Sequence, residues 1–203
     1  LMFAVAKRMA FQTSELKSGR WTRLDNIFLN GKTLGLIGTG NVGSEVSRLG
    51  NALGMKVIAW TMHPSVKRAA DLGVNFVQLD DLLKSSDVVS IQVNLTEDTR
   101  GMIGEREFRL MKKGSIFING GRGNLIDTGS LIRFLNCGHL AGAGLDVFDQ
   151  EPLPADHPIL CCEQIVMTPH IADQTPEGME LLNEGAVSNV IAFLQGNPQN
   201  VVT

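Results

Sequence analysis

From Thr33 onward, short apolar runs alternate with segments of helical periodicity, and this alternation limits the folds open to the chain. The runs cover residues 33–38, 56–60, 74–77, 87–93, 115–119, 141–147 and 164–167. Between and after them lie helical segments at 41–53, 64–72, 79–85, 104–111, 127–137 and 176–195. Strand–helix–strand alternation requires crossover connections, and crossovers build parallel sheets. The run Asp87-Val88-Val89-Ser90-Ile91 carries apolar residues on both alternating faces, as a strand buried between two helical layers must. The expected class is therefore α/β, a doubly wound parallel sheet of about seven strands. Upstream, Met2, Val5, Ala6, Met9 and Leu16 form an apolar stripe at helical spacing over residues 1–17. They predict one helix that packs against something outside the chain.

Gly38-Thr39-Gly40-Asn41-Val42-Gly43 follows the first strand and opens the first helix of this series. A G-x-G-x-x-G pattern is weak alone and strong in this setting. Gly38 permits the tight turn, Gly40 lets a pyrophosphate approach the backbone, and Gly43 lets helix and strand pack closely. The N–H groups of Asn41, Val42 and their neighbours at the helix N-terminus then face the anion. An NAD site also expects a carboxylate at the end of the second strand. Here that strand runs into Thr61-Met62-His63-Pro64, with Lys67 and Arg68 following. Thr61 and His63 become the candidate ribose contacts. Without the carboxylate a 2′-phosphate meets less repulsion, and the expectation for the cofactor is NAD or NADP with a lean to NADP. Lys67 and Arg68 could equally just solvate the outer face of a helix.

The 203 residues are 43% hydrophobic with a net charge of −3, enough for a real core and without a basic footprint for nucleic acid. No apolar stretch is long enough to span a bilayer. Cys137, Cys161 and Cys162 are odd in number and lack zinc-ligand spacing, which points to reduced thiols in a cytoplasmic protein and to no metal site.

Three polar residues stand just past the ends of consecutive apolar runs: Arg122, Glu151 and His170. Ligands of open parallel sheets bind at that edge. A guanidinium there can grip a carboxylate with two parallel hydrogen bonds. An imidazole, whose ordinary pKa lies near neutrality, can give and take a proton. A carboxylate beside it can set its tautomer and favour its charged form. Asp127 reads as the N-cap of the helix that follows. His63, His139 and His157 have no such context for proton transfer.

Five motifs then occur in order: the glycine turn, Asn119-Gly120-Gly121-Arg122-Gly123-Asn124-Leu125-Ile126-Asp127, Gly142-Ala143-Gly144-Leu145-Asp146-Val147-Phe148, Glu151-Pro152-Leu153-Pro154 and Thr168-Pro169-His170-Ile171. Together they resemble the D-isomer-specific 2-hydroxyacid dehydrogenases, over the chain from about Gly19 onward. The resemblance implies a Rossmann-type nucleotide domain at residues 19–175. It implies an entering interdomain helix at 1–18 and a returning helix and tail at 176–203, with the N-terminal substrate domain outside the chain. It implies NAD(P)-dependent interconversion of a 2-oxo acid and a D-2-hydroxy acid. In that reaction Arg122 grips the substrate, Glu151 partners the imidazole and His170 carries the proton. Gly121 and Asp146 would lie by the nicotinamide, Asn94 and Thr99 by the adenosine. It also implies a homodimer through the nucleotide domain, in a region that includes Trp21, unless Trp21 is a core residue.

Two features depart from or qualify the pattern. Gln92 and Asn94 stand where members often show His and Pro. The same fold also serves dinucleotide-binding corepressors, which can keep the same trio, so a regulator is the alternative reading. A formate dehydrogenase would carry glutamine in place of Glu151. Half a cleft should bind dinucleotide but turn over poorly.

Overall fold

The apolar runs form strands β1 (Thr33–Ile37), β2 (Lys56–Trp60), β3 (Asn75–Phe76), β4 (Val88–Ile91), β5 (Ser115–Asn119), β6 (Leu140–Leu145) and β7 (Ile165–Met167). In this computed structural model the described residues are 1–201, and among them the strands make one seven-stranded sheet in the order β3-β2-β1-β4-β5-β6-β7. Every neighbouring pair is parallel. The helices are α1 (Met2–Ala6), α2 (Met9–Lys17), α3 (Asn41–Ala52), α4 (Val66–Leu72), α5 (Leu79–Ser85), α6 (Glu105–Leu110), α7 (Thr128–Asn136) and α8 (Pro176–Leu194). Residues up to Pro169 form one compact unit, and those from His170 onward form another.

The sheet is buried on both faces because successive side chains point to opposite sides. In β1, Leu34 and Leu36 join one core while Ile37 joins the other. In β4, Val88 goes to the first and Val89 and Ile91 to the second; in β5, Ile116 and Ile118 part from Phe117 in the same way. The first core packs under Val5 and Ala6 of α1 and against α3 and α4. The second is filled from α5, α6 and α7 by Leu82, Leu83, Phe108, Leu131 and Leu135. Phe108 meets Phe117 edge-on, with ring centroids 5.2 Å apart, a favoured arrangement for aromatic rings. This is the doubly wound α/β sheet expected from the alternation.

The single N-terminal helix is not observed. The chain breaks at Arg8, whose φ of 48° is left-handed, and continues as α2. Val5 and Ala6 are buried, whereas Met9 and Leu16 are 54% and 56% exposed. The apolar stripe thus serves the sheet only through its first turn and a half, and α2 buries no residue. The segment from Arg20 to Asn30 is irregular and returns to the sheet through the Ile27 N–H, which donates to the Ala6 carbonyl at 2.9 Å. Glu15 pins its start. It accepts from Arg20 and, at 2.6 Å, from the Thr22 hydroxyl. The Arg20 hydrogen bond chiefly, with that of Thr22, holds the Glu15 carboxyl down at about 2. Trp21 is 82% exposed, so it is no core residue.

Thr175 caps α8 by accepting from the Gly178 N–H at 2.9 Å, and Pro176 occupies the first helical position. Leu181, Leu182, Val190, Phe193 and Leu194 of α8 are exposed. Among the described residues no helix is long and apolar enough to cross a membrane. The same residues hold no group of three or more His, Cys, Asp or Glu arranged to bind a metal ion.

At the amino edge of the sheet, Asp87 ties three elements together. It accepts from the Thr33 N–H at 2.8 Å and from Lys112 at 3.2 Å. Burial pushes its carboxyl up, but the Thr33 N–H and the Lys112 ammonium outweigh it, and the group sits below the ordinary aspartate range. A depressed carboxylate stabilises the fold at neutral pH and loses that effect as pH falls through its folded-state value. Asp87→Ala should therefore lower stability by about 1–3 kcal/mol in urea unfolding at neutral pH. The gap to wild type should shrink on acidification below the ordinary aspartate range; a gap that stays constant would contradict the assignment.

Candidate active site

Parallel pairing puts every strand's carboxyl end at one edge of the sheet. The glycine turn follows β1, Thr61 and His63 follow β2, and Asn94 and Thr99 follow β4. Gly121 and Arg122 follow β5, Asp146 and Glu151 follow β6. All these sequence candidates thus leave the sheet on one side. Between β1 and β4 the strand order reverses direction, the switch point where such sheets open a crevice.

The glycine turn has the geometry of an anion cradle. Gly38 has φ 99°, and a Cβ there would lie 2.8 Å from the Gln92 carbonyl oxygen. A Cβ on Gly43 would lie 2.1 Å from the Gly38 carbonyl oxygen, so the helix approaches the turn more closely than any side chain allows. At Gly40 the outer side is open, with nothing within 4 Å of an added Cβ. Gly40 is the N-cap of α3 and supplies no side chain to cap it, leaving first-turn N–H groups for an outside acceptor. The Thr39 hydroxyl is buried and, among the described residues, finds no hydrogen-bond partner. A glycine cradle, an uncapped helix start and an orphaned hydroxyl together fit a dinucleotide pyrophosphate.

Next to it, a cleft of about 610 Å³ lies between the ends of β2 and β3, lined by Trp60, Thr61, Met62, Pro64, Gln78 and Asp81 among others. That volume is within the ordinary range for small-molecule sites. Asp81 is the ionic group on its lining; His63, Lys67 and Arg68 are not part of it. After β4, the Thr99 hydroxyl is buried and works inside its own loop. It donates to the Asn94 carbonyl at 2.7 Å and accepts from the Thr96 N–H at 2.8 Å.

The Arg122 turn is built on Asn119, the last residue of β5, which sequence reasoning did not single out. Its buried carboxamide accepts from the Gly121 N–H at 3.0 Å and donates to the Arg122 carbonyl at 2.9 Å. The signal was present: asparagine before two glycines favours a bond to its own backbone two residues on. The Arg122 guanidinium is exposed and donates to the Gly121 carbonyl at 2.7 Å. Among the described residues it forms no ion pair. Glu151 accepts from the Phe148 N–H at 2.8 Å. Asp146 accepts from the Thr168 hydroxyl, linking the ends of β6 and β7. His170 begins the second unit, three residues past β7, in a left-handed conformation with φ 53°. His157 and His139 have structural partners: the His157 ring accepts from the Ile159 N–H at 3.2 Å, and His139 Nε2 lies 2.9 Å from the Met111 carbonyl oxygen. Asp127 caps α7 as expected, accepting from the Ser130 N–H at 2.6 Å.

A doubly wound parallel sheet with a glycine cradle at its carboxyl edge has the form of a dinucleotide-binding domain. Residues 1–172 match the family model described as D-isomer specific 2-hydroxyacid dehydrogenase, NAD binding domain. The chain belongs to this family. It is 39% identical to a glyoxylate reductase of Aeropyrum pernix over all of its own length and 63% of that protein's. Its fold matches the D-lactate dehydrogenase of Aquifex aeolicus solved with NAD and lactic acid, with a TM-score of 0.86 and 34% identity, over 97% of this chain and 64% of that one. It also matches an acyclic imino acid reductase solved with NADPH and D-Arg, with a TM-score of 0.91 and 31% identity, over 100% of this chain and 65% of that one. The chain thus spans less than two thirds of the lengths of these relatives.

Gly40→Ala separates binding from folding. The added methyl meets no protein atom within 4 Å, so stability should stay within about 1 kcal/mol of wild type. The affinity for NADH, followed by nicotinamide fluorescence, should fall by about an order of magnitude or more, since the backbone must approach the pyrophosphate there. Unchanged NADH affinity would mean that the turn is only structural.

Proposed function

We propose that the whole protein interconverts a small 2-oxo acid and a D-2-hydroxy acid, with NAD or NADP as redox partner. The observation that carries this reading is the state of Arg122. It is an exposed guanidinium at the carboxyl edge of the sheet, on the same edge as the glycine turn, and among the described residues no carboxylate pairs with it. A cation so placed suits a substrate carboxylate.

The chain's own groups divide the work as follows. Arg122 takes the substrate carboxylate and fixes the orientation of C2 and its oxygen. His170 gives a proton to the carbonyl oxygen during reduction and takes it back from the hydroxyl during oxidation. Glu151 is the carboxylate partner of that imidazole, setting its tautomer and favouring its charged form. Bound nicotinamide supplies or accepts the hydride at C2. Gly121 and Asp146 would lie beside it, with the Asp146 carboxylate addressing its carboxamide. The left-handed backbone of His170 supports a special role, since such a conformation in a non-glycine residue costs on the order of 1 kcal/mol and tends to mark functional positions.

For the cofactor, two influences oppose one another. His63, Lys67 and Arg68 near β2 suit a 2′-phosphate. Asp81, on the lining of the cleft that Thr61 also lines, disfavours it. A cytoplasmic setting is inferred from the free cysteines Cys137, Cys161 and Cys162, which suit a reducing compartment. The exposed Trp21 and Phe28 suit a homodimer interface on the nucleotide unit.

The test is His170→Ala in the whole protein, assayed with a panel of 2-oxo acids and both reduced dinucleotides. Turnover should fall by about 10²–10⁴-fold, with NADH affinity kept within about threefold. Wild-type protein that binds NADH tightly yet reduces no 2-oxo acid would overturn the enzyme reading in favour of a dinucleotide-binding regulator.

A further inference from the structure

The turn that carries Arg122 is held at two points, neither of which is Arg122 itself. The first is Asn119, 0% exposed at the end of β5. Its Oδ1 accepts from the Gly121 N–H and its Nδ2 donates to the Arg122 carbonyl, so one buried carboxamide closes both sides of the turn. Its backbone carbonyl accepts from the Asp146 N–H at 3.0 Å, fastening the same residue to the end of β6. A buried amide with its acceptor and donor both engaged holds its geometry tightly, because swinging away would strand polar groups.

The second point is Gly123. A Cβ there would sit 1.9 Å from both the carbonyl carbon and oxygen of Phe148, and 2.3 Å from the Asp149 nitrogen. These are backbone atoms, so no side chain can swing aside to make room. The turn after β5 therefore lies directly on the peptide that joins Phe148 to Asp149. The N–H of that same Phe148 donates to the Glu151 carboxylate at 2.8 Å. One backbone contact thus joins the loop bearing the guanidinium to the loop bearing the carboxylate.

We propose that Asn119 and Gly123 are positioning residues for Arg122. The Asn119 carboxamide sets the turn over the end of β5, and the missing side chain of Gly123 sets its spacing from the Phe148–Glu151 loop. This rests on the substrate-gripping role given to Arg122 above. Recognition of a carboxylate by a planar guanidinium depends on placement to within fractions of an ångström. Moving either attachment impairs selection for a charged substrate before it affects the dinucleotide, whose cradle lies after β1.

The readout is the ratio of kcat/KM for a 2-oxo acid to that for its neutral methyl ester, measured in the whole protein. NADH affinity is followed in parallel. Three variants are compared: Arg122→Ala, Asn119→Ser and Gly123→Ala. Arg122→Ala should collapse the acid-over-ester preference. Asn119→Ser, which removes the Nδ2 donor without adding bulk, should lower it by at least about tenfold with NADH affinity within about threefold. Gly123→Ala should do the same; if its collision prevents folding, Asn119→Ser carries the test alone. Collapse in Arg122→Ala with full preference in Asn119→Ser would overturn the positioning role. Preference retained in Arg122→Ala itself would instead overturn the role of Arg122, and the inference with it.

Discussion

The parallel direction of every strand pair is the constraint on which the rest of this unit depends. Parallel strands cannot be joined by tight hairpins, so each is followed by a crossover, and each crossover begins at the same edge of the sheet. That edge collects loops from β1, β2, β4, β5 and β6 although their residues are spread over more than a hundred positions of sequence. The opposite edge, where Asp87 binds Thr33 and Lys112, is a structural seam. One edge thus carries a structural seam and the other gathers the loops that bear the candidate site residues, a division that follows from strand direction before any side chain is considered.

On the carboxyl edge, closeness of backbones is the recurring device. Gly43 rests against the Gly38 carbonyl and Gly123 against the Phe148 peptide, at distances no Cβ tolerates. The first contact opens a cradle for an anion at the start of α3; the second fixes one loop against another. Polar side chains complete what the glycines permit. Asn119 closes the Arg122 turn, Thr99 closes the loop after β4, and Asp146 ties the end of β6 to Thr168. The guanidinium is left exposed and free of carboxylates among the described residues, while the turn beneath it is held by buried bonds. A preorganised support under an open group is the arrangement expected where a ligand is to be gripped.

Much of this was legible in the sequence because its causes are local. A short continuous apolar run marks a strand within a few residues, and the two cores take alternate side chains of β1, β4 and β5 as a strand between two layers requires. The glycine turn and the Asp127 cap are also local, a backbone conformation and a side chain reaching three residues on. What escaped has distant causes. The break at Arg8 arises because Val5 and Ala6 meet the sheet while Met9 does not, and nothing within residues 1–17 announces it. The close approach of Gly123 to Phe148 depends on two loops 25 positions apart. Asn119 lay between these cases: its bond to Gly121 is a local habit of asparagine, but its burial under the Arg122 turn is a property of the assembled sheet.

Hydrogen exchange of the whole protein with and without NADH tests the central claim, that the carboxyl edge of the sheet is the dinucleotide site, most directly. The account predicts slower exchange in peptides spanning Gly38 to Ser44 and the loops after β2 and β4. It predicts no change at the amino edge around Asp87 or in the small cavity lined by Arg8, Phe11 and Gln164. Protection confined to that cavity or to the amino edge, with the glycine turn unaffected at saturating NADH, would contradict it.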